Sequence, residues 1–214
     1  MDFTKNLFLI ISISSFLLLH TTNAIRLHIP IEIGVTKLCS GTTDPALCVR
    51  TILPQMHGGF NRYKALEIEI LVAKNQALKA VAIIDELIKS PSCSQGMKDS
   101  LAVCQNQYGN IIDSINEAIT TVQQRNAGMT NLKFSAVFSY RSTCEDEFQP
   151  EIPPPNLANA AEALKVIGGN VLDISKGLEN REIRMMQKKG LMPDYSKVTS
   201  PPSKCLHVVG PCSE

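Results

Sequence analysis

Cysteines are the residues of this chain best suited to chemistry, and two of the seven sit in KLCSGTTDPALCVRTIL, residues 37–53. Cys39 and Cys48 flank a Thr-Thr-Asp-Pro turn. Such a pair can be a disulfide staple, part of a metal clip, or a pair of reactive thiols. A metal clip needs further ligands nearby, yet beyond residue 24 the histidines are His28, His57 and His207. Structural zinc is disfavoured on that count, with Cys205, His207 and Cys212 the grouping that comes closest. A catalytic thiol needs a base partner, and nothing in the sequence marks one. Gly-rich phosphate loops, nucleophile elbows and His-rich ligand spacings are also missing. No catalytic, cofactor-binding or metal residue is therefore assigned, and the chain is not expected to be an enzyme or to carry a cofactor.

Which cysteine chemistry applies depends on the compartment. Residues 1–24 read as a secretory signal peptide: Lys5, the apolar run LFLIISISSFLLL over residues 7–19, then Thr22-Asn23-Ala24 as a small-residue cleavage site. A run of thirteen is short of the roughly 20 residues a membrane span needs. Secretion into an oxidising environment favours the staple, and an odd cysteine count implies one thiol left over. The formal net charge of +1 gives no electrostatic reason to expect nucleic acid, or a membrane once the leader is removed. No Asn-x-Ser/Thr sequon occurs.

The elements that must position these residues read as helices. Leu66, Ile70, Ala73, Ala77, Val81, Ile84 and Ile88 recur at steps of three and four, as do Leu101, Cys104, Tyr108, Ile111, Ile115, Ile119 and Val122. Residues 90–94 form a turn, and the second helix is expected to end near Gly128. A third helix is expected over about 131–148 with Thr130 as its cap. A fourth follows EIPPPN with Asn156 as its cap, carrying Leu157, Ala160, Leu164, Ile167, Val171, Ile174 and Leu178 in a four-three pattern. Asp44-Pro45 places a cap and a first-turn proline between the two cysteines. The expected fold is all-α: an up-down-up-down four-helix bundle behind a helical hairpin. The expected division is a signal peptide at 1–24 and a helical domain at 25–190 (hairpin 32–53, bundle 60–190), then a Pro- and Cys-containing tail at 191–214.

Four segments in this order resemble the plant invertase and pectin methylesterase inhibitor family, over about residues 34–182. They are LCSGTTDPALCVRTI, LAVCQNQYGNIIDSINEAI, SAVFSYRSTCEDEF and GGNVLDISKGL. The resemblance implies the pairs Cys39–Cys48 and Cys104–Cys144, which close loops worth about 2.7 and about 3.9 kcal/mol in the chain-entropy model. It sets the hairpin outside the bundle, in an architectural role. Cys93, Cys205 and Cys212 have no counterpart in the four-cysteine pattern, so one further pair among them is open. Gly168-Gly169 stands where bulkier residues are usual, and a glycine pair there allows a kink or a close helix approach.

The resemblance implies a secreted, extracellular inhibitor, acting in the plant cell wall or apoplast. It would bind pectin methylesterase one to one and cover its substrate cleft. The third-helix residues it points to are Ser139, Ser142, Thr143, Asp146 and Glu147. Gln105, Asn106, Asn110, Asp113 and Asn116 on the second helix also lie off the apolar seam. An inhibitor of acid invertase is the alternative: some such inhibitors carry Pro-Lys-Phe before the third helix, where this chain has Leu132-Lys133-Phe134. The short spacing from Phe134 to Cys144 favours the pectin methylesterase branch, with Phe134 as core. A non-inhibitory helical binding protein is the third reading. The Glu145-Asp146-Glu147 cluster and the cations Arg181, Arg184, Lys188 and Lys189 fit a solvated face and a helix C-terminus.

Overall fold

The computed structural model describes residues 30–150 and 152–191. The leader at 1–24, the tail beyond Leu191, and with it Cys205, His207 and Cys212, lie outside the described residues. By compactness the chain divides into two units, residues 1–179 and 180–214. The described residues are helical, with no strand among them. Residues 30–39 belong to helix α1. It is followed by α2 (Pro45–Ile52), a 3-10 turn (Leu53–Gln55), α3 (Arg62–Lys89), α4 (Gln95–Gln123), α5 (Ala127–Asp146) and α6 (Pro155–Lys188).

Side-chain contacts fix the register of the bundle. Between α3 and α4, Gln105 donates to Asp85 (2.6 Å), Lys74 to Asn116 (2.7 Å) and Gln123 to Glu67 (2.9 Å). Residue numbers rise on one helix as they fall on the other, so the pair is antiparallel. The bond to Gln123, followed by the pairing with Lys64, holds the Glu67 carboxyl below its usual range. The Cys104–Cys144 disulfide, the Lys133–Glu117 ion pair (2.8 Å) and the Thr121–Thr130 hydroxyl contact (3.0 Å) run the same way between α4 and α5. Asn131 donates to Leu172 O (3.0 Å) and Ser175 Oγ (2.8 Å), joining α5 to α6. Gln76 reaches Ala160 O (3.2 Å) and closes the ring from α3 to α6. Four amphipathic helices joined by short turns thus form the up-down-up-down bundle.

The apolar stripes of α4 and α6 lie where the periodicity puts them. Leu157, Ala160, Leu164, Ile167, Val171, Ile174 and Leu178 are all buried, and on α4 Ile119 alone of the seven is half-buried. The buried face of α3 is wider than a single stripe, adding Ala65, Ile68, Glu69 and Ala80. Two expected caps move. Asn126, not Thr130, caps α5 by accepting the Met129 amide at 3.0 Å. Arg125, in the left-handed region at φ 56°, makes the turn before it. Gly128 therefore sits inside α5, and Thr130 is buried there with its hydroxyl donating to Asn126 O (2.8 Å). Asn156 falls in the first turn of α6, because Pro155 already occupies a helical position that needs no donor and the Ala158 amide bonds Pro154 O at 2.9 Å. In the second unit the described residues are 180–191, where Arg181, Arg184, Lys188 and Lys189 are exposed.

Gly168 and Gly169 serve close approach. A Cβ on Gly168 would come within 3.1 Å of the Phe138 ring and 3.3 Å of Phe134, both on α5. A Cβ on Gly169 would lie 2.5 Å from Thr43 Oγ1 of the hairpin turn. Adjacent glycines thus let α5 and the hairpin settle on α6 at neighbouring positions. Gly109, on the exposed face of α4, has open space around it. Replacing Gly109 by Ala should therefore raise stability by about 0.5–1 kcal/mol through helix propensity. Gly169→Ala should lower it by about 1–2 kcal/mol, because the clash outweighs the same propensity gain. Urea unfolding of the two variants reads the opposite signs directly.

Candidate partner-binding surface

Helix α5 is held by α4 on one side and α6 on another. Phe134, Val137 and Cys144 are buried in the core, as is Phe148 just beyond its end. Cys144 is bonded to Cys104. The opposite side of the helix carries Ser135, Ser139, Ser142, Thr143, Asp146 and Glu147, all exposed. Ser135, Ser139, Ser142 and Asp146 follow steps of four, three and four, so they form one row along the helix. Two of these hydroxyls are engaged locally: Thr143 donates to Ser139 O (3.0 Å) and Ser135 to Leu132 O (2.7 Å). Glu145 pairs with Arg141 one turn back. Beneath it the Tyr108 hydroxyl is buried, and burial followed by the nearby Glu145 charge pushes its pKa up to about 12, so the phenol is neutral. The row is a small, polar, mildly acidic surface on a rigid support, suited to contact rather than to proton transfer.

The second-helix candidates separate. Gln105 and Asn116 bond residues of α3 and so lie along the α3–α4 edge. Asn110 and Asp113 line a shallow groove between α4 and α5 together with Glu117, Lys133, Tyr140 and the 62% exposed Leu132. Asn106 is exposed. In Leu132-Lys133-Phe134, the Phe134 ring is fully buried and Lys133 pairs with Glu117. All three lie inside α5, not ahead of it.

The N-terminal hairpin is seated on the bundle by a polar cluster. Cys39 and Cys48 are joined by a disulfide, and both are buried in the common core with Val35 and Ile52. Asp44 caps α2 by accepting the Leu47 amide (2.9 Å). The Asp44 amide itself donates to Asn170 Oδ1 (2.8 Å), and the Thr43 amide and hydroxyl donate to Asp173 Oδ2 (2.7 and 2.8 Å). Asn170 Nδ2 donates to Glu69 Oε1 (3.1 Å), while Glu69 Oε2 lies 2.5 Å from Thr51 Oγ1. Glu69 and Asn170 are fully buried. Burial raises the Glu69 pKa above its usual range, against the smaller opposing pull of its bonds to Thr51 and Asn170. A signal for Glu69 was present: it stands three residues after Leu66 and four before Ala73, on the core stripe. Asn170 likewise stands three after Ile167 and four before Ile174.

Cys93 is half-buried and forms no disulfide with a described residue. Among the described residues no group of three or more His, Cys, Asp or Glu side chains is placed to hold a metal, and no helix is long and apolar enough to cross a membrane.

The family model described as plant invertase/pectin methylesterase inhibitor matches residues 34–174, from α1 to the middle of α6. The chain belongs to this inhibitor family. Within it, a pectinesterase inhibitor from Actinidia deliciosa is 26% identical over 124 residues, covering 58% of this chain. The match spans 65% of that relative's length. A pectin methylesterase inhibitor from Arabidopsis thaliana shares the fold, with a TM-score of 0.52 at 19% identity over 67% of this chain and 95% of the other. A mutant form of an Arabidopsis pectin methylesterase inhibitor gives 0.56 at 18% identity over 66% and 95%. The family match takes in the hairpin, α3, α4, α5 and the Asn170–Asp173 stretch of α6.

Asn170 holds the backbone of the hairpin turn and the buried carboxyl at once. Asn170→Ala leaves the Asp44 amide and Glu69 without that partner. It should lower unfolding free energy by about 2–3 kcal/mol, in line with orphaned buried groups. Asn159→Ala, on the exposed side of the same helix, should change it by less than about 0.5 kcal/mol. Paired denaturant titrations check the difference.

Proposed function

We propose that the mature chain is a secreted, extracellular inhibitor of plant pectin methylesterase. It binds the enzyme one to one and covers its substrate cleft with the exposed side of α5. Ser139, Ser142, Thr143, Asp146 and Glu147 make the contact, and the inhibitor has no turnover of its own. The observation that carries the reading is the exposed polar row on a helix fixed by the Cys104–Cys144 bond and by Phe134 and Val137 in the core. A surface already rigid before association loses little conformational entropy on binding, which is what a tight, stoichiometric inhibitor requires. Family membership and the Actinidia relative support pectin methylesterase as the target.

Acid invertase is the second reading, since the family includes inhibitors of both enzymes. The burial of Phe134 and the pairing of Lys133 with Glu117 count against an invertase-type insertion through Leu132-Lys133-Phe134. Those side chains would have to leave the core and a surface ion pair to enter an active site.

Mature protein mixed with a plant pectin methylesterase should suppress methanol release near equimolar ratio across about pH 5 to 7. Inhibition of acid invertase with no effect on methanol release would transfer the assignment to the second reading. Thr143→Arg adds a bulky cation to the proposed contact. It should weaken inhibition by at least about tenfold, the equivalent of about 1.4 kcal/mol, while the melting temperature stays within about 2 °C, as for other exposed substitutions. An equal fall in both would make Thr143 a packing residue.

A further inference from the structure

The hydrogen count around Thr51 says something about Glu69 that the inhibitor reading does not use. Thr51 Oγ1 has three oxygen neighbours: Leu47 O at 3.0 Å, Cys48 O at 3.0 Å and Glu69 Oε2 at 2.5 Å. One hydroxyl brings one proton, so it can donate to one of them. If Glu69 is neutral, its Oε2–H donates to Thr51 Oγ1 and the Thr51 hydroxyl donates onward to a carbonyl of α2. Glu69 Oε1 then accepts from Asn170 Nδ2, whose Oδ1 accepts from the Asp44 amide. Each of these groups is then satisfied, in a chain running from α6 through α3 into the hairpin.

The ionised form fares worse. The Thr51 proton must turn to the carboxylate, and the charge is left fully buried with two neutral donors. Among the described residues no cation compensates it. On α2, Arg50 is exposed and Asp44 caps Leu47. On α3, Lys64 pairs with Glu67 and Lys74 donates to Asn116. On α6, Asp173 accepts from Thr43 and Lys176 pairs with Glu179. On α1, Glu32 and Lys37 are exposed. An uncompensated interior carboxylate is strongly unfavourable, and water reaches this one once the hairpin lifts.

We propose that Glu69 clamps the N-terminal hairpin to the bundle in its protonated form, and that losing this proton frees the hairpin. The sign follows from linkage. A carboxyl whose proton is held more tightly in the docked state stabilises that state fully below the ordinary Glu value of 4.5, and the stabilisation is lost as pH rises from there through the docked-state value. One proton is released per opening, so the docked-to-open ratio falls by up to about tenfold per pH unit within that window. The hairpin would sit firmly in acid and loosen toward neutrality, while α4 and α5 stay folded.

The test is amide hydrogen exchange on the full mature chain, corrected for intrinsic rates, together with the NMR titration of the Glu69 carboxyl carbon. Protection of the amides at 31–52 should fall by up to about tenfold per pH unit between the ordinary Glu value of 4.5 and the docked-state Glu69 midpoint, and level off above it, with protection in α4 and α5 unchanged. In Glu69→Gln, which keeps an acceptor for Asn170 and supplies a donor to Thr51, hairpin protection should not vary with pH. An equal fall in the Gln variant, or none in the parent, overturns the proposal. If the Gln variant does not fold, the parent's titration decides. A carboxyl that titrates above the ordinary range in step with the Thr43 and Asp44 amide shifts upholds the clamp, and one that titrates in the ordinary range with those amides still overturns it. The readout is exchange, so failure of the clamp and failure of the inhibitor assignment are separate results.

Discussion

A buried carboxyl without a cation is among the least comfortable groups a protein interior can hold, and much of this molecule is arranged around one. Glu69 stands on the core stripe of α3, where Leu66 and Ala73 flank it on the same face. Its tolerance there depends on Thr51 arriving from the hairpin and Asn170 from α6. Neither partner can be placed unless α2 is capped at Asp44, the ring of four helices is closed, and Gly169 of α6 lets the hairpin turn come close. Removing any one of these would leave a polar atom in apolar surroundings, a penalty larger than the net gain from a typical hydrogen bond. The cluster therefore acts less as glue than as a specification: it admits one seating of the hairpin.

The same logic separates the proposed interface from the hairpin. Helix α5 is pinned by a disulfide on its α4 side and by rings set over Gly168 on its α6 side. What remains outward is short and polar. Serine, threonine and aspartate side chains lose little rotamer freedom when immobilised, so such a row pairs well with an enzyme surface that must be recognised without being reshaped. The hairpin, at the neighbouring position on α6, is seated through its turn, with Thr43 and Asp44 giving their backbone amides to α6.

Much of this was legible in the residues. The helical stripes of α4 and α6 followed from spacing, because helices packed on two neighbours repeat their buried positions every three or four residues. The Asp44-Pro45 start of α2 followed from local chemistry that tertiary context had no reason to override. What was not legible depended on distant partners. Thr130 has the composition of a cap, but Asn126 four residues earlier is equally suited, and the left-handed Arg125 decided between them. Glu69 stands on the core stripe, but the partner that makes its burial acceptable, Asn170, lies 101 residues away. The exposed row on α5 was identifiable as exposed only once the core side of that helix was known, because its serines and threonines carry almost no periodic signal.

The antiparallel register also sets an order of events. Three of the four helix contacts in the ring join elements adjacent along the chain, which form quickly because little loop entropy opposes them. The fourth, α6 to α3, and the seating of the hairpin on α6 span most of the domain: Thr43 and Asp173 are 130 positions apart. The hairpin is thus the first part of the domain to be synthesised and among the last to find its place. Until α6 arrives, its two helices have no bundle surface complete enough to hold them together. The bond between Cys39 and Cys48, nine positions apart, needs nothing from the rest of the chain, so it can preserve the shape of the hairpin through that wait.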